Sequence, residues 1–390
     1  ICAALLSVPL VLLALSSSAT SVALACFLVE FIQSVQWPCV IVLLSVHYNL
    51  PNHKLQYQNG IYLTSIASKL GSIVAVPLFS SLLGQFHWRI CCLVGAWFAI
   101  ISSSVMYLYV MDSPTEINQP QNALQPHLAQ QLSAANPFKG PQQSVIIVGR
   151  VFKSIFTNNL LPSVRHVLTS WTFWVVALSH TGSSLVLSSQ RILGTYYYDT
   201  SLGYLPDAQS AGSLVVFLPL GTIFGLAIAG SLFAHRKGKN RKRLVTQLYI
   251  ISIVSCYVLS ILSIPRLRHA VDSPDLILFA QIVASLAMGF GIAVMSSVIP
   301  GLASAAFGNH RGFYTAYTDG VAYGISSMVW RVVATSVEYG NPEGGGWAYG
   351  WAAVALLVVL SAILLIECWS IVPAINGRSS GLSTTSTIRV

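Results

Sequence analysis

Between two long apolar runs lies Gly230-Ser-Leu-Phe-Ala-His-Arg-Lys-Gly-Lys-Asn-Arg-Lys-Arg243, which holds six of the chain's 20 lysines and arginines. A segment this charged stays in water. The runs on either side are long enough to cross a bilayer, so the stretch reads as a short loop between two spans. Short loops rich in lysine and arginine resist translocation, which assigns this one to the cytoplasmic side. That placement orients every other span.

Apolar runs of this kind recur at 1–16, 20–46, 59–84, 88–111, 167–194, 208–233, 244–264, 273–300, 310–337 and 346–372. They are too long for strands and lack alternation, which excludes a β-barrel. Only 8% of the 390 residues are charged and 54% are hydrophobic, too little charge to clothe a soluble fold of this size. With the central loop inside, alternation places about 14 basic residues in cytoplasmic segments and about 3 outside, Arg89, Arg266 and Arg268. The reading is an all-α membrane protein with about ten transmembrane helices. Residues 1–111 carry four spans. A polar cytoplasmic linker follows over 112–166, with an interfacial helix expected at 144–160. Residues 167–373 carry six spans, and 374–390 form a Ser/Thr-rich disordered tail. The chain opens at Ile1 inside an apolar run, which is read as a missing start. The seven cysteines show neither metal nor redox spacing, so no metal site is expected. The basic residues gather at span ends, which disfavours nucleic acid as a partner and makes the lipid bilayer the expected one.

Ionisable side chains inside hydrocarbon usually face a cavity or a partner. Glu30, Lys69, Arg191, Asp319 and Arg331 fall within spans, and His180 joins them as a titratable group. Glu30, Gln33 and Trp37 follow i, i+3, i+7 and share one helical face. That face suits a polar solute, or a stripe that glues helices together. Lys69 lies at similar depth on the next span, where it could pair with Glu30 for structure or for gating. His180 is the natural proton-coupling candidate, since imidazole changes charge between pH 5 and 8; a hydrogen-bonded packing histidine is the alternative. Asp319 and Tyr323 are one turn apart and could face the same cavity. Arg191 and Arg331 lie outward, either snorkelling to the interface or, with Gln190 and Tyr196-Tyr-Tyr198, forming an outer gate. Gly221-Thr-Ile-Phe-Gly225 fits close helix packing. No nucleotide loop, nucleophile elbow or facing nucleophile and base is present, so an enzyme is not expected, nor a cofactor.

A division of four and six spans around a cytoplasmic linker resembles the six-plus-six architecture of the major facilitator superfamily without its first two helices. The loop from Gly230 resembles the second copy of that superfamily's Gly-x-x-x-Asp-Arg-x-Gly-Arg-Arg signature, a conformational loop. Gly230, Arg236, Gly238, Arg241 and Lys242 fit it, and His235 replaces the acid. Glu30-Phe-Ile-Gln-Ser-Val-Gln-Trp-Pro38 and Asp112-Ser-Pro114 are similar to stretches of the organophosphate:phosphate antiporters, the glycerol-phosphate and sugar-phosphate exchangers. In those antiporters a histidine stands at the position matching Ser68, beside Lys69. Their phosphate-binding arginine of the seventh helix has no match in Leu178-Ser-His-Thr-Gly182, so a phosphate site is not carried over.

The resemblance implies a two-bundle secondary transporter that moves a small polar or anionic organic solute by alternating access. Protons or a counter-transported anion would couple the transport. The other reading is a non-transporting sensor or scaffold on the same fold, which the His235 departure and the long polar linker would suit.

Overall fold

The computed structural model describes residues 2–48, 54–109, 161–192, 197, 214–264, 266, 273–339 and 345–372. Among these residues helix is the only regular structure. In hydrocarbon no water is available to the backbone, and a helix satisfies its N–H and C=O groups within one segment. The first group is α1 (Cys2–Leu5), α2 (Ser7–Leu15), α3 (Ala19–His47), α4 (Lys54–Gln85) and α5 (Trp88–Tyr109). After α6 (Leu161–Leu168) come α7 (Trp171–Ile192), α8 (Phe217–Gly225), α9 (Ser231–His235), α10 (Gly238–Leu262), α11 (Pro274–Ala293), α12 (Ile299–Ser304), α13 (Arg311–Tyr339) and α14 (Gly345–Glu367). A π-helical turn, Leu226–Gly230, joins α8 and α9 into one rod, and a second, Val294–Val298, joins α11 and α12.

A helical rod lies at each of the ten expected spans, with ends that differ by several residues; 110–111, 193–194 and 208–213 of those spans lie outside the described residues. The one expected at 167–194 starts at Trp171, because Thr169 and Ser170 separate it from the short α6. Residues 110–160, with the expected linker helix at 144–160, and the tail 374–390 lie outside the described residues. Helix starts follow local chemistry. Ser18 and Ser21 form a reciprocal capping box at the head of α3. Pro274 and Asp275 occupy the first turn of α11, where a missing N–H is harmless and a negative charge is favoured.

Seven of the described helical stretches are long and apolar enough to cross a membrane. Helices α7 and α13, of 22 and 29 residues, are not among them. Their interiors are polar: Ser179, His180, Thr181, Ser183 and Ser184 on one, Thr315, Thr318 and Asp319 on the other. The two pack against each other, so each shields the other's polar face from lipid.

Helices α7 to α14 make a bundle with one continuous core, in which Trp347, Trp351, Tyr197, Tyr249 and Phe173 are fully buried. The α8–α11 crossing is closest at two glycines. A Cβ on Gly221 would lie 1.9 Å from the carbonyl oxygen of Leu286, and one on Gly289 would lie 2.1 Å from that of Leu218. The Gly221–Gly225 pattern therefore marks a true backbone contact.

In the first bundle α2 packs on α5 and α3. Arg89 donates to the carbonyl of Ser16 at 2.9 Å. The two bundles meet through α3 on α13 and α4 on α8. The named contacts fall at the end of the molecule that carries the basic loop. Ile41, Tyr57 and Ile61 form a small buried cluster with Trp37, Leu44 and Tyr48 around it, and Val42 faces Gly312.

Candidate functional site

His180 and Asp319 stand opposite each other on α7 and α13. Counted from the helix starts at Trp171 and Arg311, each lies about 12–14 Å from the basic end at ~1.5 Å per residue. The two depths match, and the His180 Nε2 is 3.3 Å from Asp319 Oδ1. His180 is buried with 3% of its side chain exposed, and Asp319 retains 17%. Ser183 completes the set, its Oγ 3.0 Å from His180 Nδ1 and 2.9 Å from the carbonyl oxygen of the same histidine.

This arrangement holds either protonation state of the ring without moving a heavy atom. In the neutral ring, Nε2–H donates to Asp319 and Nδ1 accepts from the Ser183 hydroxyl. In the imidazolium, Nδ1–H donates to Ser183 Oγ, whose own proton turns to the His180 carbonyl. Asp319 thereby supplies a countercharge, and Ser183 a switchable donor and acceptor.

The other candidate residues are dispersed. Glu30 and Gln33 are exposed, and Trp37 is half-buried against the Ile41–Tyr57–Ile61 cluster. Lys69 is half-buried and has no ion-pair partner among the described residues, so a Glu30–Lys69 pair is not formed. Tyr323, one turn beyond Asp319, is 44% exposed. Arg331 is exposed. The side chains of Gln190 and Arg191 lie outside the described residues, as do Tyr196 and Tyr198. Tyr197 is not placed as a gate. It is fully buried, hydrogen-bonded to Ser263 at 2.9 Å and Gln281 at 3.0 Å, with its ring against Trp347 and Trp351.

The basic loop is built around Arg241. Its guanidinium is buried, donates to the carbonyl oxygens of Phe233 at 3.0 Å and Ala234 at 3.4 Å, and lies 4.3 Å from the Phe233 ring centre. It therefore caps the carbonyl end of α9, where a cation complements the helix dipole. Gly238 has φ +51°, a left-handed conformation that favours glycine, and it opens α10. Arg236 is half-buried. His235 turns back on its own helix, with Nδ1 2.8 Å from the carbonyl of Ser231.

Sequence reasoning missed Tyr57, Gln58 and Tyr62 at the head of α4. Tyr62 donates to the carbonyl of Gly230 at 2.8 Å and accepts from Gln58 Nε2 at 2.8 Å, while Tyr57 donates to the carbonyl of Gly301 at 3.4 Å. In the sequence Tyr57 and Tyr62 are aromatics at a span end, indistinguishable from interfacial anchors, and Gln58 is one more polar residue beside them.

A profile of the Major Facilitator Superfamily matches residues 1–331. The chain belongs to the major facilitator superfamily. No curated protein matches it in sequence. Among solved structures it is similar to a bacterial homologue of the human lysosomal transporter Spinster, in an inward-facing and unoccupied conformation. That likeness has a TM-score of 0.53 at 11% identity, over 96% of this chain and 82% of the other. This major facilitator protein is thus a multi-pass integral membrane protein of a transporter family, and its all-helical two-bundle fold agrees.

Proposed function

We propose that this major facilitator protein is a secondary transporter of a small polar or anionic organic solute, coupled through the His180–Asp319 pair. The observation that carries the reading is the 3.3 Å contact between an imidazole and a carboxylate on the facing polar sides of two packed helices. Ionisable pairs inside a membrane are costly to place there and mark ion or substrate pathways. The basic loop lies in the cytosol in this reading, because its charge resists translocation.

Substrate would enter between the bundles, and in the open state Glu30, Gln33, Lys69 and Tyr323, which are dispersed in this structure, would be the polar groups available to it. Half-buried Lys69, without an acidic partner among the described residues, suits an anionic group on the solute. The Gln33-x-x-x-Trp37-Pro38 stretch is similar to the exchanger branch of the superfamily, which keeps a phosphate ester among the solutes to be tried, although that branch's seventh-helix arginine has no match here. We also propose that two further helices belong with the first bundle. The support is burial: in the most apolar stretches of α3, α4 and α5, at most 12% of the residues are buried.

Uptake by the protein in liposomes tests this, with a panel of phosphorylated and carboxylated small solutes and an imposed pH gradient. Saturable uptake that responds to the gradient is expected. Asp319→Asn should abolish the response to pH, and Lys69→Ala should raise KM for the anionic solute. Flux indifferent to both substitutions would remove the proposed site, and absence of flux for every solute would favour a sensor or scaffold.

A further inference from the structure

The contacts at the head of α4 join elements far apart in sequence and belong to different bundles. Tyr62, fully packed but for 8% of its surface, places its hydroxyl 2.8 Å from the backbone oxygen of Gly230, at the end of the π turn that joins α8 to α9. Tyr57, with no exposed surface, reaches the backbone oxygen of Gly301, on the short helix after the second π turn. A carbonyl oxygen has two lone pairs, so Gly230 can accept Tyr62 while keeping a bond within its helix; the Gly301 oxygen also accepts the Ser304 hydroxyl at 2.6 Å, which makes Tyr57 at 3.4 Å the weaker of the two contacts.

Both acceptors are glycines, and the geometry explains why. A Cβ on Gly230 would lie 2.9 Å from the Tyr62 ring, and one on Gly301 would lie 2.9 Å from the Ile61 side chain. A larger residue at Gly230 would press on the Tyr62 ring, whereas at Gly301 the tip of the Ile61 side chain can turn aside. Gln58 orients the Tyr62 hydroxyl by donating to it, which leaves the phenolic proton free for Gly230. Arg241 fixes the opposite side of the joint by holding the α9 carbonyls one turn further on.

We propose that Tyr57 and Tyr62 form a two-point bolt that holds the basic-loop end of this protein shut, with the carbonyls of Gly230 and Gly301 as its two keepers. The bolt rests on the transport reading, in which the two bundles must part at this end for solute to reach the cytosol. Two neutral hydrogen bonds are the right strength for that task. Each shifts a two-state equilibrium by roughly threefold to tenfold, enough to favour closure and weak enough to be released each cycle. A buried ion pair at the same place would be harder to open, since separating it leaves an unpaired charge in hydrocarbon. The position also links the bolt to the central loop: Gly230 begins the superfamily's signature, so movement of that loop changes the keeper directly.

The experiment measures the distance between spin labels at Gln56 and Lys239, exposed residues on either side of the joint, in the protein reconstituted in lipid nanodiscs. Tyr62→Phe removes the hydroxyl that donates to Gly230 and accepts from buried Gln58, and should enlarge the separated population about threefold to tenfold. Tyr57→Phe with Tyr62→Phe should enlarge it further, and Gly230→Ala should act in the same direction by steric separation. Tyr197→Phe, the same chemistry inside one bundle, should leave the distribution unchanged. An unchanged distribution in the double phenylalanine variant overturns the bolt, and so does an equal shift caused by Tyr197→Phe. The two readings fail separately. A shift without any uptake in liposomes would retain the bolt and remove transport, whereas uptake with no shift would do the reverse.

Discussion

The two bundles are built on different terms. In the second, 44–56% of each most apolar stretch is buried in protein, whereas in the first the figure is 0–12%. The second bundle has an aromatic and glycine-lined core that excludes lipid from its centre. The first shows small isolated contacts, and its larger buried side chains, Ile41, Tyr57 and Ile61, sit where it meets its neighbour. In a bilayer apolar surface need not be hidden, because lipid is as apolar as leucine, so packing and polar contacts decide what associates. The second bundle is therefore held by its own packing, whereas the open faces of α3, α4 and α5 are free to meet lipid or the two further helices proposed above, and the seam between the bundles supplies the larger buried contacts of the first. Substitutions in the second should alter stability, and those in the first should alter conformation.

The sharpest test pairs two tryptophans. Trp351 is 1% exposed and packs edge-on to Trp330 and Tyr197. Trp351→Ala should cost about 3–5 kcal/mol in unfolding free energy. Trp97, on α5, is 60% exposed, and Trp97→Ala should cost under ~1 kcal/mol. Equal losses would erase the contrast.

Glycines give the next largest difference. Gly221→Leu should destabilise by about 1–3 kcal/mol, because the added side chain meets the α11 backbone. A Cβ on Gly71 of α4 has nothing within 4 Å, and Gly71→Leu should stay within ~0.5 kcal/mol. Thermal unfolding of the purified protein in one detergent compares the pair directly.

Arg241→Met removes a charged cap and should cost about 1.5–3 kcal/mol, since its donors serve two carbonyls at a buried helix end. Arg236→Met, at a half-buried position in the same loop, should cost under ~0.5 kcal/mol. The smallest effect is the most discriminating. Tyr197→Phe should lower stability by about 1 kcal/mol, while Tyr62→Phe should shift the bundle equilibrium with little change in the unfolding midpoint.

The spans were legible because bilayer thickness fixes how long an apolar run must be, and the basic loop because its charge cannot cross. His180 and Asp319 could each be singled out as ionisable groups at depth, yet 138 intervening residues concealed that they touch. Glu30 and Lys69 looked better matched, being on successive helices at similar depth, and they do not pair. Tyr197 sits among interfacial-looking tyrosines and proves to be a buried post. In each case counting residues along a helix gives height in the membrane. It says nothing of which way a side chain turns about the helix axis or which helix stands beside it.

Sequence alone determined that the chain is helical, that it spans the bilayer repeatedly, and which end carries the positive charge. Each is a one-dimensional property, set by run length and charge. Tertiary structure decided that α7 faces α13, that two glycines bring α8 and α11 into backbone contact, and that tyrosines of one bundle bond to carbonyls of the other. Those depend on how rods pack around one another, where a single Cβ or hydroxyl sets which surfaces can meet.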